Sequence, residues 1–243
     1  MVFKTLREDI NAYLERDPAA RGPLEIILCY PGFHALLTYR FCHWLWRHKL
    51  FLPGRFIAHL GRILTAIEIH PGAEIGRRFV IDHGAGTVIG ETAVIGDDVT
   101  LYHDVTLGGV APSVDSEAQV GQKRHPTLGD GVIVGSGAQI LGPITVGAHA
   151  RVGANSVVTK DVPSSVTAVG VPAKVVMPRN KEKARQFQAY ATTAEGHPDP
   201  VLQTIDALRA QVMALSQRIE ELESDRPADA EDNAPPDKKS GVA

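Results

Sequence analysis

The stretch Val88-Ile89-Gly90-Glu91-Thr92-Ala93-Val94-Ile95-Gly96-Asp97-Asp98-Val99-Thr100-Leu101 sets an aliphatic residue at every sixth position, twice followed at once by glycine. The rhythm runs back through Ile81, Ile75 and Ile69 and forward to Leu107. After a gap it resumes at Leu128, Val134, Ile140, Val146, Val152 and Val158. Gly76, Gly108, Gly129, Gly135, Gly147 and Gly153 repeat the glycine signal. Such a period fits neither the 3.6-residue turn of an amphipathic helix nor the alternation of a hairpin ladder. It marks hexapeptide β-helix repeats, each a short strand and a turn, whose inward aliphatic residues stack from coil to coil. Composition agrees with that reading. Of 14 aromatic residues ten lie in the first 56 positions and none between His103 and Gln186, whereas 17 of 23 glycines fall between Ile69 and Met177. A narrow interior filled by Ile, Val, Leu and Ala has little room for rings.

The rhythm breaks twice. Eight positions rather than six separate Ile81 from Ile89, so the chain bulges over Asp82–Val88. Between Leu107 and Leu128 lies a long insertion, Gly108 to Thr127, that ends in Lys123-Arg124-His125-Pro126. Departures from a rigid repeat commonly carry function. At the first break Asp82 and His83 stand side by side, and Glu68 lies one residue before the first repeat position. A histidine acting as general base needs a partner on its second ring nitrogen, and these acids are candidates. The alternative is that Asp82 and His83 only satisfy backbone groups of an irregular turn. His103 follows Leu101 as His83 follows Ile81, which predicts the two histidines on one face, a coil apart at about 4.8 Å. Gly84, Gly86 and Gly90 miss the GxGxxG dinucleotide spacing by one residue, and no GxSxG nucleophile elbow occurs.

Residues 1–67 read as helical, with a break at Pro31-Gly32. Tyr39, Phe41, Trp44 and Trp46 read as helix-packing core, some of them facing a neighbouring subunit. The repeats end by Pro178. Residues 179–225 read as a helical, coiled-coil-like segment with an a/d seam at Ile205, Leu208, Val212, Leu215, Ile219 and Leu222. Residues 226–243, rich in Pro, Asp and Lys, read as a disordered tail. The fold class is thus mixed α and β: an N-terminal helical domain (1–67), a β-helix (68–178) and a C-terminal helix. A net charge of −3 with no basic stripe gives no reason to expect nucleic acid. No run of 18 apolar residues could span a membrane, and MVFKTLREDI does not read as a secretory signal. Cys29 and Cys42, without metal-ligand spacing, read as buried free thiols of a cytoplasmic protein.

The segments Ile69-His70-Pro71-Gly72-Ala73, Ile81-Asp82-His83-Gly84, Val88-Ile89-Gly90-Glu91-Thr92-Ala93, Val105-Thr106-Leu107-Gly108-Gly109, Arg124-His125-Pro126 and Gly170-Val171-Pro172-Ala173 resemble the serine O-acetyltransferase family. The helical stretches Arg16-Asp17-Pro18-Ala19, Gly32-Phe33-His34-Ala35-Leu36 and His43-Trp44-Leu45-Trp46 resemble it too, so the likeness spans roughly residues 7–178. It implies a left-handed parallel β-helix in trimers or dimers of trimers, moving acetyl from acetyl-CoA to L-serine to give O-acetylserine for cysteine synthesis. By position, His83 resembles the general base and Glu68 the acid that orients it, an aspartate in the best-known members. Asp17 and Asp82 match positions near the substrate ammonium, and Arg124 and His125 positions near its carboxylate. Coenzyme A is expected between adjacent β-helices against Gly108, Gly109, Ser136 and Ala154, as a cosubstrate rather than a permanently bound cofactor.

No metal is expected. The γ-class carbonic anhydrases share this architecture, but their paired histidines five residues apart are missing from this repeat zone. Family behaviour makes cysteine a feedback inhibitor. The ending Ser240-Gly241-Val242-Ala243 lacks the terminal isoleucine through which family members bind cysteine synthase, so that complex is not expected. Acetyl transfer to a sugar or homoserine hydroxyl, or a non-catalytic scaffold, are the competing readings.

Overall fold

Four helices precede the strands in a computed structural model that describes residues 2–110, 117–176, 211–213 and 215. Helix α1 (Val2–Arg16) stops where the Asp17 N–H closes on the Tyr13 carbonyl at 2.9 Å and Pro18 cannot continue the turn. Pro23 and Pro31 open α2 (Pro23–Cys29) and α3 (Pro31–Arg47), where a missing N–H costs nothing. The break at Pro31-Gly32 therefore divides two helices, as its residues predict. Helix α4 (Phe51–Thr65) ends on Ala66 in the left-handed conformation, φ 57°.

From Glu68 the chain winds through a left-handed parallel β-helix, a triangular prism with strands of two or three residues. Its first face stacks β1 (Glu68–Ile69), β4 (Val88–Ile89), β7 (Thr106–Gly108), β10 (Gln139–Leu141) and β13 (Val157–Val158). The second carries β2 (Glu74–Ile75), β5 (Val94–Ile95), β8 (Thr127–Leu128) and β11 (Thr145–Val146). The third holds β3 (Val80–Ile81), β6 (Thr100–Leu101), β9 (Ile133–Val134), β12 (Arg151–Val152) and β14 (Thr167–Val169), closed by antiparallel β15 (Lys174–Val176). Register follows the six-residue rhythm: Ile69 pairs with Ile89 and Ile89 with Leu107, and Ile81 pairs with Leu101 and Leu101 with Val134. These residues are buried and form one continuous core. Ile75 is the partial exception, only half-buried at the start of the second face.

The helices clamp the first coil. Tyr39 Oη donates to the Ala73 carbonyl at 2.6 Å. The Tyr13 hydroxyl lies between the Ile81 carbonyl and N–H, 3.2 Å from each. Ion pairs tie α1 to the second corner: Glu8 to Arg77, Glu15 to Arg78, and Arg16 to Asp98 at 2.6 Å. Buried Asp9 takes two bonds from Arg40, at 2.9 and 3.0 Å. Gly32 makes the close approach possible, because a Cβ there would stand 2.0 Å from the Ile81 carbonyl oxygen.

One expectation is corrected. Both cysteines are free, but only Cys42 is buried; Cys29, the last residue of α2, is exposed. Of the four clustered aromatics Tyr39 is core and Trp46 half-buried, whereas Phe41 and Trp44 are exposed and stack on each other with centroids 6.2 Å apart. The a/d seam lies outside the described residues except for Val212 and Leu215, which are helical and exposed. The tail lies wholly outside them.

Gly32→Ala tests the clamp. Helix propensity alone would make alanine stabilising by about 1 kcal/mol. The clash with backbone reverses that sign, and urea unfolding should show a loss of about 1–3 kcal/mol.

Candidate active site

Asp82 and His83 follow β3 at the third corner, between the third and first faces. His83 is in the left-handed region, φ 59°, but so are Asp104 and Asn155 at the same corner of other coils. In those coils the left-handed residue comes three positions after the inward aliphatic, whereas His83 comes only two after Ile81, so the first coil departs from the routine corner. The distinguishing feature of the first coil is its two extra residues, whose turn is closed by Gly84 N–H to Asp82 O at 2.7 Å and Thr87 N–H to Gly84 O at 3.0 Å. The widened corner leaves the His83 side chain 65% exposed, with Nε2 3.8 Å from Asp82 Oδ1. His103 meets it from the next coil, edge to face, centroids 6.3 Å apart. The sequence spacing of the two histidines thus gave their adjacency.

Asp17 belongs to the same neighbourhood. Its Oδ1 accepts the Ala19 N–H at 2.8 Å and its Oδ2 the Tyr30 hydroxyl at 2.5 Å. The Tyr30 hydroxyl is held far above the usual phenol range by this carboxylate first, then by burial. Burial also pushes the Asp82 carboxyl up; His83 opposes that, and the Asp17 charge adds to it. Two acids thus crowd a corner that favours a cation between them.

Glu68 flanks this corner on β1, opposite Val88. Its carboxylate is engaged elsewhere, with Oε2 3.2 Å from Arg62 Nε. The carboxylate recorded beside the His83 imidazole is that of Asp82.

Arg124 and His125 lie at a different corner, the first, between the first and second faces. The insertion passes a 3-10 turn at Glu117–Gln119 and rejoins the coil there. Arg124 Nη2 donates to Glu91 Oε2 at 2.6 Å, while its Nε is buried without a hydrogen-bond partner. His125 packs over Gly90, where a Cβ would fall 2.0 Å from the ring. Burial, and then the Arg124 charge, pull the His125 pKa below the usual imidazole value. Beneath it His70 accepts the Gly72 N–H at 2.9 Å and meets Trp46 edge-on at 4.9 Å. Burial, reinforced by the Arg55 charge, lowers His70 to about 4.

The four expected coenzyme contacts are divided in the same way. Gly108 ends β7 on the first face, opposite Leu141, and Gly109 is at the first corner beside the Arg124 carbonyl. Ser136 and Ala154 are at the third corner, two and three coils above His83, about 10 and 14 Å along the prism at the usual strand spacing. Among the described residues no group of three or more His, Cys, Asp or Glu is placed to hold a metal ion, and no helix is long and apolar enough to cross a membrane.

Hexapeptide coils carrying an exposed, acid-flanked histidine, with helices docked on the first coil, define a hexapeptide-repeat transferase. Residues 125–160 match the family "Bacterial transferase hexapeptide (six repeats)", and residues 1–38 match "Serine acetyltransferase, N-terminal". The chain is 49% identical over 214 residues to a serine acetyltransferase of Mycobacterium tuberculosis, covering 88% of each. It is 43% identical to that of Bacillus subtilis, over 91% of this chain and 96% of the relative. The chain belongs to the serine acetyltransferase family.

Solved structures agree. Serine acetyltransferase of Neisseria gonorrhoeae in complex with serine superposes with a TM-score of 0.66 at 40% identity, covering 71% of this chain and 68% of that one. The Brucella abortus enzyme in complex with coenzyme A gives 0.67 at 39%, covering 72% and 67%. A serine acetyltransferase in complex with cysteine gives 0.68 at 39%, covering 72% and 70%.

His70 should leave a pH signature. The unfolded chain protonates it near 6.5, the folded chain only near 4. Stability from this group is complete above 6.5, falls as pH drops through that window, and levels off below it. Urea midpoints from pH 7 to 4 should therefore decline more in the wild type than in His70→Asn; parallel curves would contradict the assignment.

Proposed function

We propose that the first and third corners are two halves of one active site, completed between neighbouring copies of the chain, where acetyl passes from acetyl-CoA to the L-serine hydroxyl. One observation carries this reading. The acids and His83 sit at one corner, Arg124 and His125 at another, and a rigid sheet face separates them. A zwitterionic amino acid needs both signs of partner at once. A ring contact joins two different surfaces, so a trimer can set the third corner of each prism against the first corner of its neighbour. The same pairing serves a dimer of trimers.

In such a site Asp17 and Asp82 hold the serine ammonium. Arg124 holds the carboxylate, and its unpartnered Nε is a donor ready for it. His83 takes the hydroxyl proton as the oxygen attacks the thioester carbonyl. The tetrahedral intermediate collapses, the C–S bond breaks, and the imidazolium returns the proton to the departing thiolate. The products are O-acetylserine and free coenzyme A, with no acyl-enzyme. Glu68 orients His83 by exchanging Arg62 for the imidazolium. The coenzyme runs along the prism past Ser136 and Ala154, with Gly108 and Gly109 contributed across the interface, as a cosubstrate and not a resident cofactor.

Cysteine replaces the hydroxyl with a thiol and keeps both charged groups. It therefore fits the same partners and competes with serine. The two free thiols suit a cytoplasmic enzyme. No cysteine synthase complex, nucleic acid or membrane partner belongs to this proposal.

Thiol release from acetyl-CoA should depend on L-serine and not on sugars or homoserine. His83→Ala should lower kcat by about 10²–10⁴-fold. Asp17→Asn and Arg124→Gln should chiefly raise the serine KM. At serine well below the KM of the Arg124 variant, co-expressed His83→Ala and Arg124→Ala chains should regain activity that neither shows alone, because a mixed ring contains an interface with both wild-type halves. Failure to complement would place the whole site within one chain.

A further inference from the structure

The Thr92 hydroxyl is saturated, and all its partners belong to the tail of the insertion. Its oxygen accepts the backbone N–H groups of Arg124 at 2.9 Å and His125 at 3.1 Å. With both lone pairs used, its proton has one acceptor in reach, His125 Nδ1 at 2.9 Å. The Thr92 backbone N–H also points to that nitrogen, at 3.1 Å. On its other side the Thr92 carbonyl takes Lys123 Nζ at 2.5 Å, and that ammonium reaches the Pro126 carbonyl at 3.3 Å. One corner residue of the regular repeat thus holds three consecutive residues, Lys123, Arg124 and His125, at the point where a long, irregular excursion re-enters the coil.

The chemistry at His125 follows from proton counting. A ring nitrogen that accepts from two donors carries no hydrogen of its own. Neutral His125 therefore bears its proton on Nε2, the tautomer that presents an N–H away from Thr92. Protonating Nδ1 would set an N–H against two donors, so the clamp opposes the cationic form. The charged and titratable groups around the ring are Arg124, Glu91, Lys123 and His70. Arg124 and Lys123 oppose a second positive charge, whereas Glu91 favours one.

We propose that Thr92 is a positioning residue for the carboxylate-binding half of the site. It fixes the backbone of Arg124-His125 and locks His125 as a neutral Nε2–H donor beside the Arg124 cation. This rests on the assignment of Arg124 and His125 to the acceptor carboxylate. Thr92 touches neither substrate nor the reacting atoms; it acts through the two residues that do. The insertion is long and has no helix or strand of its own beyond one 3-10 turn among its described residues. Without an anchor at its return, its closing dipeptide would have no fixed register against the coil.

The test compares Thr92→Val, isosteric but without the hydroxyl, with Thr92→Ser, which keeps it. Thr92→Val should raise the serine KM about tenfold or more, leaving kcat and the acetyl-CoA KM within about threefold of wild type. Thr92→Ser should restore the serine KM. A normal serine KM in Thr92→Val, equal impairment of both variants, or a parallel rise in the acetyl-CoA KM would each overturn the proposal. Nitrogen-15 NMR of the wild-type imidazoles reads the tautomer without any variant or turnover. A protonated Nε2 with bare Nδ1 at His125 supports the clamp, and the opposite tautomer rejects it. If wild-type turnover proves independent of serine, the assignment beneath the proposal fails, and the NMR result still decides the clamp.

Discussion

Tyr13 lays its hydroxyl between the carbonyl and the N–H of Ile81, and Gly32 lets α3 approach the same peptide without a side chain in the way. Ile81 is the last regular residue before the widened turn. Its side chain is locked into the β-helix core, and its backbone is locked to the helices. The two halves of the fold therefore share a common origin one residue from Asp82. Arg16, bonded to Val99, Thr100 and Asp98, fixes the end of α1 on the next coil and with it the start of the Asp17 turn. Asp17 arrives from one architecture and Asp82 from the other, and their relative position is set by a contact shorter than either.

The prism imposes a second constraint. Each coil is held to the next by parallel strand pairing on three faces, so its corners cannot bend toward each other. Asp17, Asp82 and His83 at the third corner therefore stay apart from Arg124 and His125 at the first. Arg124 is paired with Glu91, and Asp17 accepts from the Tyr30 hydroxyl and the Ala19 N–H.

Much of this was legible in the residues because the repeat is a strict geometric code. An aliphatic residue every sixth position fixes the inward stack, and the stack fixes the register. The adjacency of His83 and His103 follows from counting alone. The two-residue surplus after Ile81 and the long insertion identified both corners. Side-chain partners on exposed surface were not legible, because they depend on rotamers and on distant segments. Glu68 reads as the acid that orients His83, yet its carboxylate lies against Arg62, six residues back in α4, and no periodicity records that choice. Cys29 looked like core by composition and emerged on the open side of a short helix. Tyr30 and Thr92 were missed in a different way. Each acts through a hydroxyl that repositions another residue, Asp17 for one and His125 for the other, and a hydroxyl carries no spacing signal until its partner is placed.

The corner histidines show how burial rather than sequence divides the chemistry. His83 and His125 each have a carboxylate and a second histidine nearby, and nothing in their neighbours along the chain tells a base from a donor. His83 is carried outward by a widened turn and keeps an open ring. His125 is pressed over Gly90 against a hydroxyl that uses its Nδ1 as an acceptor, with a guanidinium beside it. The difference comes from a glycine that admits the ring and a threonine that fixes its proton, both belonging to the same Gly90-Glu91-Thr92 corner of the regular repeat.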